Sequence, residues 1–229
     1  MSTATDHVVA SDRPLAEVLR AAAMGDWPEP DGRVEVVPRA SGGAVAAVLA
    51  FPAHFVVAAD VDAAWVAGLL PPGDFCAPTG PRFLSALAER VGGVVGCEDV
   101  VLTGLGTGEG PRLTRPGSAD GHPRRERAKV YREDLQVLTT PDDDALLVVA
   151  RGLAGRWEAA FEVEPQHRRR GLGRALVAEA LRVVPAGEPL FVQVSPGNAG
   201  SLRAILAAGL KPVGAEVLLA PASPRTPAP

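Results

Sequence analysis

The chain has 229 residues, enough for one large domain or two small ones, and 47% of them are hydrophobic, which suits a packed core and excludes a disordered chain. A formal charge of −4 excludes the global basic field that would hold nucleic acid or an anionic membrane. Cys76 and Cys97 are the two cysteines, too few for a disulfide framework or a metal site of their own, and they suit buried free thiols in a reducing cytoplasm.

The opening residues MSTATDHVVASDRP have neither a cationic start nor an apolar run, so no secretory leader is expected. A helix is predicted over Pro14–Met24, with Asp12 as its N-cap and Pro14 in its first turn. RVEVVPR (33–39) reads as a strand, and AVAAVLAF and HFVVAA, parted by Pro52, read as two more strands or one bent pair. The apolar run 44–59 is broken by Pro52 and His54 and falls short of the roughly 20 residues of a membrane span. DAAWVAGLL and PRFLSALAERVG read as helices, the second closed by Gly92, and EDVVLTG returns to strand.

From Gly104 to Lys129 the chain turns rich in Gly, Pro and charge without apolar periodicity, as expected of a loop or linker. Its run HPRRERAK reads as a solvated segment, since no aromatic residues interleave with the charges as nucleic-acid binding would require. Three strands follow: VYREDLQVLTT, the nearly all-apolar ALLVVARG, and RWEAAFEVE. After the third come three arginines, two glycines and a helix whose Leu172, Leu176, Val177, Leu181 and Val184 form one stripe, with Arg174, Glu179 and Arg182 away from it. The strand PLFVQVS, a helix over Ala199–Ala208 closed by Gly209, and the strand AEVLLA complete the pattern. Residues 221–229 read as a disordered tail.

The densest positive charge of this acidic chain lies in HRRRGLGR, at a helix start. A helix N-terminus presents unpaired amides and about half a positive charge. Glycines there let a ligand approach the backbone, and arginines fork onto phosphate oxygens. Arg168, Arg169, Arg170, Gly171, Leu172, Gly173 and Arg174 are therefore a candidate diphosphate cradle. A phosphate-binding loop of the Gly-x-x-x-x-Gly-Lys type is excluded for want of its lysine, and a dinucleotide fingerprint lacks its third glycine and its acidic residue. His7, His54, His122 and His167 are scattered without partners at ligand spacing, so no metal is expected. Ser195, in VSPGN, lacks the glycines of a nucleophile elbow.

Arg168-x-x-Gly171-x-Gly173, set between a strand and a helix, resembles the acyl-CoA pyrophosphate motif of the GNAT superfamily of N-acyltransferases, and the likeness extends over about Leu135–Leu219. It implies an α/β (α+β) fold with a mixed, mostly antiparallel sheet flanked by helices over 130–220. Residues 1–103 would be an additional α/β region, either acceptor-binding or a degenerate second copy, with 104–129 as linker. The resemblance also implies acetyl-CoA as cosubstrate and a small-molecule or peptide amine as acceptor, attacking directly in a ternary complex. Backbone groups near Phe161 and Val163 would pair with the pantetheine arm, and Asn198, which can also cap its helix, would touch that arm. Glu158 stands where many members place the base, although an ordinary strand carboxylate is equally compatible with its position. The position of the family's tyrosine acid is Ile205 here, and the chain's single tyrosine is Tyr131. That departure also admits an inactive CoA-binding or scaffold protein.

Overall fold

The computed structural model describes residues 7–41, 44–114 and 121–222. The described residues within 1–99 and 213–229 form one compact unit, and those within 100–212 form a second.

In the first unit, β1 (Val8–Ala10) leads into α1 (Leu15–Ala23), which buries Leu15, Val18, Leu19 and Ala22 at helical spacing. Pro14 stands at the N-cap without a side-chain bond, so Asp12 does not cap this helix. β2 (Val34–Val37) lies parallel to both β1 and β4 (His54–Ala58). β3 (Ala46–Phe51) and β4 form a tight hairpin turned at Pro52-Ala53, where Ala53 adopts φ 47°. α2 (Ala63–Ala67) is capped by Asp62, and α3 (Pro81–Val91) begins at its proline and stops at Gly92, in the left-handed region at φ 65°. β5 (Gly93–Leu105) starts in this unit, and the last strand, β10 (Lys211–Pro221), pairs antiparallel with β3. The core gathers Val36, Val48, Val57, Phe83, Leu87 and Leu219 between sheet and helices.

The second unit takes the end of β5 and adds α4 (Pro123–Tyr131), β6 (Glu133–Thr139), β7 (Ala145–Arg151), β8 (Trp157–Val163), α5 (Leu172–Val183), β9 (Pro189–Val194) and α6 (Ala199–Ala207). Its strands run in the order β5-β9-β8-β7-β6, antiparallel except for the β8–β9 pair. One face packs Leu102, Leu147, Ala159 and Val192 against Leu176, Val177 and Ala180 of α5 and Ile205 of α6. On the other, Ala128 of α4 packs on Leu146, Val148 and Ala150.

The described parts of the stretch 104–129, expected as a loop or linker, fall within the second unit. Residues 106–113 lie outside helix and strand and run against the end of α5. The amides of Thr107, Gly108 and Gly110 donate to the carbonyls of Leu181, Val184 and Arg182, satisfying the orphan acceptors at the helix end. Glu179, expected on the exposed side of α5, is buried and accepts from the amides of Arg112 and Leu113. The glycines are there for close approach: a Cβ on Gly106 would lie 2.5 Å from the carbonyl oxygens of Pro185 and Val184. HPRRERAK forms α4, with Pro123 in its first turn and His122 accepting from the Arg124 amide. Residues 115–120 of this stretch, and the tail from 223, lie outside the described residues.

Substituting Gly106→Ala should therefore destabilise the chain by about 1–3 kcal/mol, the usual cost of forcing atoms into a packed place. Gly197→Ala, whose new methyl would find its nearest neighbour at 4.0 Å, should be close to neutral in the same urea titration. Equal midpoints for the two variants would contradict the capping role of this segment.

Candidate active site

β8 and β9 run parallel only where Trp157 faces Leu190 and Glu158 faces Phe191. Beyond that point the strands part, while β8 stays paired with β7 through Val163. The Glu164 amide donates to Asp144 on the β7 side, so the alternation of an antiparallel ladder turns the backbone of Phe161 and Val163 to the opposite, open edge. The Val163 carbonyl accepts from Arg168 Nε at 3.0 Å, which folds the loop back over the strand end. No strand pairs with this edge past Glu158 among the described residues. The side chains of Phe161 and Val163 are half-buried against the α5 core.

From the strand end the chain makes a 3-10 turn, Pro165–His167, with His167 Nε2 at 3.1 Å from Asp144 Oδ1. Arg169 (φ 64°) and Gly171 (φ 85°) then both adopt left-handed backbone, the alternation that turns successive amides toward one side. The first backbone bond after the turn is that of Ala175 to the Gly171 carbonyl. The amides of residues 169–174 thus have no acceptor among the described residues. Arg169, Arg170 and Arg174 are exposed and pair with no carboxylate among them. Leu172 and Gly173 are half-buried beneath. A Cβ on Gly173 would lie 3.2 Å from Ala204 and 3.5 Å from the Phe161 ring, so this glycine lets α5 settle against β8 and α6. Asn198 caps α6, its Oδ1 accepting from the Ser201 amide at 3.1 Å, and stands exposed at the same end of the unit's strands.

Glu158 is placed differently from the expectation of a base. It points to the α4 face and is 3% exposed. Its carboxylate accepts from Arg132 Nε at 2.7 Å, Arg156 Nε at 2.8 Å and the Leu153 amide at 3.2 Å. Burial alone would raise its pKa, but the guanidinium groups of Arg156 and Arg132 and their hydrogen bonds outweigh it and hold the group at about 2. A carboxylate so occupied has neither the access nor the basicity to take a proton from an amine. Gly152 makes the arrangement possible, since any Cβ there would fall 2.2 Å from the Glu158 carboxyl carbon. Arg156 and Glu158 lie two apart in one strand region and so share a face, a signal present in RWE. Nothing in the sequence marks Arg132, at the end of α4, or Gly152 as its companions. Glu162, on the same face, is ion-paired with Arg124 of α4 at 2.9 Å, and Glu164 is half-buried at the strand end. Ile205 is 1% exposed and fills the core beneath α6.

Residues 128–209 match the model of the Acetyltransferase (GNAT) family. This stretch is similar to the GNAT acetyltransferase domain. Within it fall β8, the parted strands, the cradle, α5, β9 and α6. Two solved structures are among those to which this chain is similar. An acetyltransferase of the GNAT family from Colwellia psychrerythraea is 9% identical, with a TM-score of 0.33 over 59% of this chain and 60% of its own. A GCN5-related N-acetyltransferase from Kribbella flavida is 17% identical, with a TM-score of 0.30 over 61% of this chain and 64% of its own. The chain thus spans less than two thirds of either. No curated protein matches the chain. Among the described residues no group of His, Cys, Asp and Glu could hold a metal ion, and no helix is long and apolar enough to cross a membrane.

The buried ion cluster around Glu158 predicts a pH signature. Glu158 titrates at about 2 in the fold against 4.5 when free, so the stabilisation it supplies is complete above pH 4.5 and is lost as pH falls through about 2. Glu158→Gln, which leaves two buried guanidinium groups without their carboxylate, should cost about 3–5 kcal/mol at pH 7. The gap to wild type should close steadily in denaturant titrations between pH 4.5 and 2. A variant as stable as wild type at neutral pH would show that the cluster is not buried as described.

Proposed function

We propose that the chain is an acyl-CoA-dependent N-acetyltransferase, with acetyl-CoA as cosubstrate and an amine as acceptor. The observation that carries this reading is the run of amides at 169–174 without acceptors, rimmed by Arg169, Arg170 and Arg174. A diphosphate would accept from those amides at a helix N-terminus and gain from the arginine charge. The open edge at Phe161 suits a pantetheine arm laid along β8 as an added strand. At about 3.3 Å per residue, the strand leads such an arm from the cradle toward the point where β8 and β9 part. Asn198, besides capping α6, would flank the arm from the other side.

Bound acyl-CoA supplies an activated thioester. The acceptor nitrogen would attack its carbonyl carbon, so that the N–C bond forms as the C–S bond breaks. CoA would leave as a thiolate and the amine proton would pass to water. This ending needs no side-chain acid, because a thiol of pKa about 8.5 is a competent leaving group as its anion. It suits a domain in which Ile205 is apolar and Glu158 is enclosed. With no base at Glu158, the acceptor must arrive as free amine, and the rate should rise with pH up to the acceptor's own pKa. The same two residues favour one second reading, a CoA-binding protein without catalysis, which would keep the cradle and show no turnover.

Acetyl-CoA binding measured by titration calorimetry tests the proposal. Wild type should bind, and ligand at 100 times its dissociation constant should stabilise the fold by about 2.7 kcal/mol. Gly171→Glu should abolish binding through charge and bulk while keeping the circular dichroism of the parent. Absence of binding at millimolar acetyl-CoA would contradict both readings. Binding without CoA release over a panel of amines would leave the second.

A further inference from the structure

A polar group beside the parted strands has no partner among the described residues. Gln193 lies on β9, two residues beyond Phe191, where β9 has already left β8. Its neighbours Val192 and Val194 pack into the α5 core, so the alternation of the strand puts Gln193 on the other face with Phe191. Arg156 lies over the Phe191 ring at 5.0 Å, which marks this as the face of the Glu158 cluster. Gln193 Nε2 is buried and makes no hydrogen bond among the described residues. A buried donor left unsatisfied is costly, and natural folds retain one where something else completes it.

The chemistry around it limits what that can be. Both carboxylates that β8 presents to this face are engaged, Glu158 by Arg132 and Arg156 and Glu162 by Arg124. Arg132 is not fully enclosed, with 17% of its side chain exposed. On this face β8 thus offers a polycation no spare carboxylate. We propose that Gln193 contacts the acceptor, and that the acceptor carries a carbonyl or carboxylate oxygen beside its amine, as amino acids and peptide N-termini do. This rests on the acyl-transfer reading above. The Nε2 amide donates to that oxygen and so holds the amine at the end of the acyl-donor arm. Simple alkylamines and polyamines, which lack such an oxygen, leave the donor orphaned.

The test uses the full chain saturated with free CoA and product-like ligands in matched pairs. N-acetyl amino acids are titrated against the N-alkylacetamides that differ only by loss of the carboxylate, N-acetylleucine against N-isopentylacetamide among them. The carboxylate-bearing member of a pair should bind about tenfold or more tightly, the worth of one good hydrogen bond to a charged group. Gln193→Leu should reduce that preference to within about threefold, with a thermal midpoint equal to or above wild type, because an apolar residue relieves the orphan donor. Equal binding within every pair, no binding of any N-acetyl amino acid, or an undiminished preference in Gln193→Leu would each overturn the inference. A lowered midpoint in that variant would do so as well, since the amide would then serve the fold. Free CoA is titrated first: if it fails to bind, the acyl-transfer reading falls and takes this inference with it. If CoA binds and the pairs are not distinguished, this inference alone falls.

Discussion

Backbone amides that emerge from folding without acceptors must be met by water or by a ligand, and here six of them stand in succession at residues 169–174. The rest of the second unit is arranged around that fact. The left-handed backbone at Arg169 and Gly171 turns the amides outward, and Gly173 lets α5 seat its first turn against Phe161 and Ala204. The apolar stripe of α5 fixes the helix on the sheet, so the cradle cannot drift from the end of β8. The glycine-rich segment 106–110 satisfies the other end of the same helix. One helix is thus held at its C-terminus by its own chain and left open at its N-terminus.

The second constraint is the buried cluster of Glu158, Arg132 and Arg156. It ties together the end of α4, the turn at Leu153–Gly155, β8 and, through the Phe191 ring, β9 at the place where the two strands part. Enclosed ion pairs of this kind bring little net stability, because desolvation consumes most of the attraction, yet losing one member is costly. Their effect here is to fix geometry at the apex of the wedge. The same enclosure holds the Glu158 carboxylate among its arginine partners and away from solvent.

Much of this was legible in the sequence, and the reasons are local. Pro81 and Gly92 bracket α3, the stripe from Leu172 to Val184 marks α5, and Arg168-x-x-Gly171-x-Gly173 marks the loop between β8 and α5, since each signal lies within a few consecutive residues. What escaped reading depends on contacts distant in the chain. Gly104–Leu113 looks like linker because its glycines resemble those of flexible segments, while Gly106 admits the carbonyls of Val184 and Pro185, about eighty residues away in sequence. β5 begins at Gly93, earlier than the pattern suggests, because Gly93 and Gly96 read as breakers whereas each lets the backbone of β10 approach closely. α4 is so rich in charge that it reads as a solvated segment, yet Ala128 packs on the sheet and Arg124 pairs with Glu162 of β8. Glu158 was visible as a strand carboxylate, but its role is set by Arg132, twenty-six residues earlier, which no spacing rule connects to it.

The central claim is that the amides of the loop itself hold the diphosphate. Residue-resolved amide hydrogen exchange, followed by NMR with and without saturating acetyl-CoA, addresses it most directly. The account predicts that residues 169–174 exchange rapidly in the free protein and become strongly protected on binding, together with Phe161 at the open edge of β8. Bound acetyl-CoA that leaves 169–174 exchanging as before, with protection appearing on other segments, would contradict it.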